Sequence, residues 1–155
     1  MQTILIKSAK VINAESKHNG KNQDILIVDG IIKKISSSID SYNSNVINIK
    51  GLHVSKGWFD SSVSFGEPGY EERETIENGG KIASSSGFTD ILLNSNTKPI
   101  SDCKSDVLFV KSRSDKLTIN IHPIGAFSVG SESKSLAEFK DMKDGGAVAF
   151  YDYKI

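Results

Sequence analysis

From Gly57 to its end the chain alternates short apolar runs with stretches at helical spacing, and this rhythm limits its possible folds more than any other feature. Strands are expected at Trp58–Phe65, Phe88–Leu93, Leu117–Ile124 and Ala147–Tyr151. Ile91-Leu92-Leu93 is a continuous apolar run without polar alternation, the pattern of a strand buried on both faces of a parallel sheet. Between the strands, a helix is expected from about Glu71 to Ser85, with Glu71, Glu72 and Glu74 near its positive end and Gly87 as its stop. Ser101–Ser114 reads as a short helix or irregular stretch, and Leu136–Met142 as a short helix closed by Gly145-Gly146. These are βα units. They point to a parallel sheet with covering helices, and four strands cannot close an eight-stranded barrel, which takes about 250 residues.

The first 54 residues keep a different rhythm. Thr3–Lys7 alternates apolar and polar residues, and Lys10–Ala14 continues it or pairs with it. Asp24–Val28 and Ile31–Ile35 flank Asp29-Gly30, a two-residue hairpin signal because both turn positions need positive φ. Ser36–Asn45 is polar and loop-like, and Val46–Lys50 is a further strand. The expected organisation is α/β: a small antiparallel β-sandwich unit over residues 1–54, then the first four β/α units over residues 55–155.

The segment Lys56-Gly57-Trp58-Phe59-Asp60-Ser61-Ser62-Val63-Ser64-Phe65-Gly66-Glu67-Pro68-Gly69 carries the most chemical information. Regular strand alternation would place residues 60, 62 and 64 on one face. Histidines at the last two places would aim two imidazoles at one point, as a zinc site requires. Serine is no substitute, because its hydroxyl is neutral and a transition metal favours imidazole or thiolate. Ser62 and Ser64 therefore read as small polar residues at a strand end. No Ser-His-Asp arrangement can be drawn around them.

This segment resembles the dihydroorotase pattern P-G-W-V-D-x-H-x-H-F-R-E-P-G, from the amidohydrolase superfamily. In that family the two histidines hold zinc and the arginine grips the substrate carboxylate; Ser62, Ser64 and Gly66 stand at those three places here. Ser86-Gly87-Phe88-Thr89, Asn96-Thr97-Lys98-Pro99 and Asp102 resemble the run G-G-F-T-x-V-x-x-M-P-N-T-x-P-x-x-D, which puts Asn96 at a substrate-binding asparagine, whereas Met-Pro has become Asn94-Ser95. Asn96 also suits a simple turn former. Gly145 to Lys154 resembles G-A-V-A-F-S-D-D-G; there Asp152 survives as a vestigial metal ligand while its neighbour is Tyr153. His122, in Ile121-His122-Pro123-Ile124-Gly125-Ala126, reads as a strand histidine satisfied by a backbone group, and no two of His18, His53 and His122 have ligand spacing. Lys81 and Lys154 do not fall where some amidohydrolases carry a carbamylated lysine.

The resemblance covers essentially the whole length and implies the N-terminal part of a (β/α)8 TIM-type barrel and a role in pyrimidine biosynthesis. On that resemblance the chain reads as a fragment or the ordered portion of a longer protein rather than a self-contained short one. The losses imply that no zinc is held, although the family uses it, and that the scaffold is retained for a structural or regulatory purpose. Aspartate transcarbamoylase, or a second copy of the chain, is the partner that the family suggests. The competing expectations are an active zinc-dependent dihydroorotase with an altered site, and a hydantoinase- or allantoinase-like ancestry. Restoring Ser62→His, Ser64→His and Gly66→Arg together would recover metal binding if the frame is otherwise kept. With 19 basic and 19 acidic residues, bulk charge points to neither nucleic acid nor a membrane surface. The lone Cys103 offers no disulfide or Cys-x-x-Cys site, which fits a reducing cytoplasm.

Overall fold

The computed structural model describes residues 2–40 and 43–153. The chain divides into two compact units, Met1–Lys56 and Gly57–Ile155. Among the described residues no helix is long and apolar enough to cross a membrane.

The first unit is one five-stranded sheet, β1 (Thr3–Ile12), β2 (Asn22–Val28), β3 (Ile31–Ser36), β4 (Asn45–Ile47) and β5 (His53–Ser55). The hairpin between β2 and β3 turns on Asp29 (φ 49°) and Gly30 (φ 78°), as the sequence signal requires. Where an antiparallel unit was expected, the sheet is mixed, because β4 and β5 both run parallel to β1. The reason lies in a bulge between Ile6 and Ala9, where Ser8 takes φ 49°. It divides the edge of β1 in two, so β4 pairs residues 4–6 and β5 pairs residues 10–12. The expected strand Val46–Lys50 is thus shortened to β4, which ends at Ile47, and β5 at His53–Ser55 lies beyond the expected range.

Asp24 fastens that bulge. Its carboxylate accepts from the Ser8 N–H (2.8 Å) and the Ile39 N–H (2.9 Å), and pairs with Lys7 Nζ at 2.6 Å. Burial alone would raise its pKa, but the hydrogen bond from Lys7 and the two backbone donors outweigh burial and hold the carboxyl below its ordinary range.

The second unit is a parallel sheet in the order β6-β7-β8-β9, with β6 at Trp58–Val63, β7 at Phe88–Leu93, β8 at Asn120–Gly125 and β9 at Ala149–Phe150. Helices α1 (Ile76–Ser85), α2 (Lys104–Ser114) and α3 (Phe139–Gly145) fill the connections. Phe65, Ile76, Ile91, Leu93, Val110, Ile119 and Ile121 form the core between sheet and helices, and Val107, Ala137, Met142 and Ala147 form a second cluster. At about 1.5–3 kcal/mol for each fully buried large aliphatic side chain, this apolar face is what stabilises the unit.

Helix α1 begins five residues later than the acidic run suggests. Residues 70–74 are held as a turn by Tyr70 N–H to Gly66 O and Arg73 N–H to Tyr70 O, and Glu71 caps the Gly69 N–H instead of entering a helix. Thr75 is the N-cap and accepts from the Asn78 N–H at 3.2 Å. Strand β8 and helix α3 likewise start three residues later than expected.

Replacing Asp24 by Ala leaves the Ser8 and Ile39 donors and Lys7 without their acceptor. Denaturant titration is expected to show a loss of about 2–3 kcal/mol. Because the folded pKa lies below the unfolded value of about 3.9, the contribution of Asp24 is present above that value and fades as pH falls through the folded pKa. The wild type should therefore lose more stability than D24A on acidification over that range.

Candidate functional site at the ends of β6 and β7

The polar residues of the signature gather where β6 and β7 end, but not in the regular alternation the sequence suggests. Two irregularities interrupt the β6–β7 register: Phe59 pairs Asp90 directly after Trp58 pairs Phe88, and Val63 pairs Leu93 after Asp60 pairs Ile91. The second adds a residue between Asp60 and Val63. Asp60 consequently faces with Ile91, lining a cleft of about 210 Å³ with Val63, Phe65, Ile82 and Ala83 on the helix-covered side. Ser62 and Ser64 alternate with the core residues Val63 and Phe65 and face the other way. The expected common face of residues 60, 62 and 64 is corrected to residues 62 and 64.

Both serines have amide partners one strand away. Ser62 Oγ accepts from Asn94 Nδ2 at 3.2 Å, and Asn94 Oδ1 accepts from the Tyr151 hydroxyl. Ser64 Oγ lies 2.6 Å from Asn96 Nδ2 and 2.8 Å from Asn96 Oδ1. Asn94 and Asn96 are buried. The substitution of Met-Pro by Asn94-Ser95 thus supplies the donor that Ser62 uses. Asn94 and Tyr151 were not evident from sequence, since the contact between them spans 57 positions.

Gly66 is not merely an arginine position emptied of its side chain. A Cβ built there would lie 1.6 Å from Tyr70 O, because the chain doubles back through Gly66 N–H to Glu74 O and Tyr70 N–H to Gly66 O, each 2.8 Å. An arginine at this position would require this turn to be rebuilt. A guanidinium enters from Arg73 instead, whose Nη2 donates to Phe65 O (3.0 Å) and Asn96 O (3.4 Å), with the guanidinium 4.9 Å from the centre of the Tyr70 ring. It ties the ends of β6 and β7 together through their backbones.

Asp152 accepts from the Ser128 hydroxyl (2.6 Å) and from the N–H groups of Ser128 (2.9 Å) and Phe127 (3.0 Å). The Ser128 hydroxyl first, and then the backbone donors, hold its carboxyl below the ordinary range. It clamps the loop after β8. Tyr153 packs its ring near Tyr151, the centroids 6.2 Å apart. His122 is satisfied by a carboxylate where a backbone group was expected: its Nε2 lies 2.9 Å from Asp90 Oδ1, which also accepts from Asn120 Nδ2 at 3.0 Å. Those two contacts, His122 first, lower the Asp90 pKa. Register explains the pairing, since Asp90 lies opposite Asn120, and His122 is two residues further along the same face.

The donor set does not fit zinc. Around Ser62 and Ser64 it consists of neutral hydroxyl and amide groups already bonded to one another, and the Asp152 carboxylate is taken up by three donors. Zinc favours thiolate, imidazole and carboxylate, so these residues do not fit it. Among the described residues, Asp102, Cys103 and Asp106 do converge. There the Asp106 carboxylate caps α2, accepting from the N–H groups of Asp102 and Cys103 and from Cys103 Sγ.

Solved structures share this fold. An L-hydantoinase (dihydropyrimidinase) from Arthrobacter aurescens superposes with a TM-score of 0.78 over 97% of this chain and 32% of its own, at 22% identity. A dihydroorotase crystal structure superposes with a TM-score of 0.67 over 97% of this chain and 42% of its own, at 13% identity. These likenesses show the fold, and the second unit is accordingly part of a β/α barrel. The family model described as dihydro-orotase-like matches residues 51–155, and the chain belongs to that family. Relatives named dihydroorotase from Pelotomaculum thermopropionicum and Ruminiclostridium cellulolyticum are each 38% identical over 151 residues, or 96% of this chain. The chain spans 35% of the length of either relative.

Gly66→Ala is expected to destabilise the second unit by about 3 kcal/mol or more, because backbone cannot yield as a flexible side chain can. Ser64→Ala should cost only about 1–2 kcal/mol. Thermal unfolding of the two variants, followed by near-ultraviolet circular dichroism, checks the order.

Proposed function

We propose that this chain is a dihydroorotase-like scaffold that does not itself carry out zinc-dependent opening of a cyclic amide, and that it serves pyrimidine biosynthesis in a structural or regulatory role. The observation that carries this reading is the pairing of Ser62 with Asn94 and of Ser64 with Asn96, at the places where the family resemblance puts zinc-binding histidines. The family reaction depends on a metal to generate a nucleophile from water, whose pKa the metal lowers to about 7. Neutral amides and hydroxyls bonded to each other supply neither the metal site nor a base of suitable strength. At Gly66 the closed turn leaves no space for a carboxylate-gripping side chain from that position.

The resemblance supplies the partner class. Aspartate transcarbamoylase, or a second copy of this chain, is the proposed assembly partner, in the cytoplasm that the lone thiol suits. A second reading, an active enzyme of altered site hydrolysing a cyclic amide, has support from the fact that the relatives at 38% identity are named dihydroorotases.

The two readings separate in a turnover assay. Purified protein with added zinc is expected to give no dihydroorotate ring opening or closure above the buffer rate, and metal analysis after gel filtration should find far less than one zinc per chain. Substantial turnover accompanied by stoichiometric zinc would sink the scaffold reading. Co-sedimentation with aspartate transcarbamoylase tests the proposed partner separately.

A further inference from the structure

A second polar constellation lies in the first unit, independent of the reading given above. Lys10, on the central strand β1, pairs in register with Asn22 of β2 on one side and with His53 of β5 on the other. Register partners share a face of a sheet, so the three side chains form one row across three strands. The turn between β4 and β5 borders this row with Asn48, Ile49, Lys50, Gly51 and Leu52, and together with Ser8 they enclose an open groove of about 550 Å³. That size accommodates a small-molecule ligand.

The charge in this groove is one-sided. Lys10, Lys50 and His53 line it together with two asparagine amides and a serine, and no carboxylate does. Among the described residues neither lysine takes part in a salt bridge. Asp24, which bonds the Ser8 N–H, has its carboxylate engaged by Lys7 and Ile39 and lies outside the lining. Gly51 O is 2.7 Å from His53 Nδ1; a carbonyl can only accept, so Nδ1 carries the proton and the ring is fixed in place. In a chain with equal numbers of acidic and basic residues, two unpaired ammonium groups and an oriented imidazole around one cavity form a local excess of positive charge.

We propose that this groove binds a phosphate-bearing small anion, with Lys10 and Lys50 as its charge partners and Asn22, Asn48 and His53 as orienting groups. A pyrophosphate offers several oxygens that separate donors can engage at once, and lysine acts on phosphate as a point charge from a flexible stem.

Inorganic pyrophosphate is the probe, titrated into the 15N-labelled chain at constant ionic strength. Saturable shifts are expected at residues 10, 22 and 48–53, together with weakening of at least about tenfold in the double variant Lys10→Glu, Lys50→Glu, equivalent to about 1.4 kcal/mol. The conservative variant Lys10→Arg, Lys50→Arg should retain binding within about threefold. Lys116→Glu with Lys140→Glu changes the net charge equally but lies in the other unit, and should leave binding unaltered. Absence of shifts at about 10 mM pyrophosphate, shifts centred elsewhere, or equal weakening by the two charge-reversal pairs would overturn the proposal. Amide spectra of each variant show directly whether the sheet is still folded.

Discussion

The buried carboxylate of Glu67 is the contact on which the candidate site depends. It accepts from Arg113 Nε at 2.7 Å and from the Ile76 N–H at 2.8 Å, so one side chain joins the turn after β6 to the start of α1 and to the last turn of α2. A carboxylate at the first turn of a helix also meets the positive end of its dipole. Glu67 is 5% exposed, and a charge so placed is tolerated only because both of its partners are strong donors. The Gly66 turn precedes this anchor directly in the chain, and Arg73 bonds Phe65 O two residues before it. Glu67 fastens the loop after β6 to the two helices that carry Ile76 and Val110 into the apolar cluster.

The second unit's stability and its polar residues lie on opposite faces of the same sheet. The covered face of the sheet is apolar and close-packed, and it carries the stability of the unit. The uncovered face carries polar residues whose partners lie on the same face, such as Ser62 with Asn94, Ser64 with Asn96, and Asp90 with Asn120 and His122. Ser62 and Ser64 bond Asn94 and Asn96, so the buried amides of both asparagines have partners. The Ser62–Asn94 and Ser64–Asn96 pairs are neutral, whereas Asp90 brings a carboxylate to its contact with His122.

Much of this architecture was legible in the residues themselves. The β6–β9 and α1–α3 succession follows from apolar runs alternating with helical spacings, and the Asp29-Gly30 hairpin from the positive φ its turn requires. The boundaries were less legible where a polar residue had two possible local uses. Glu71, Glu72 and Glu74 suit a helix start, yet they lie in a turn because Thr75 caps α1 and Gly66 bonds Tyr70 and Glu74. The parallel pairing of β4 and β5 with β1 was not legible, since it depends on a bulge fixed by Asp24 from another strand.

The sequence by itself determined the family, the βα rhythm and the identity of the altered positions Ser62, Ser64 and Gly66, because these are properties of residue type and spacing along the chain. Only the tertiary structure decided what those positions became. The bulge in β6 turned Asp60 to the helix side, chain reversal brought Tyr70 O against Gly66, and strand pairing set Asn94 and Asn96 beside the two serines. Such contacts join residues up to 57 positions apart. They are fixed by register and packing, which no local pattern encodes.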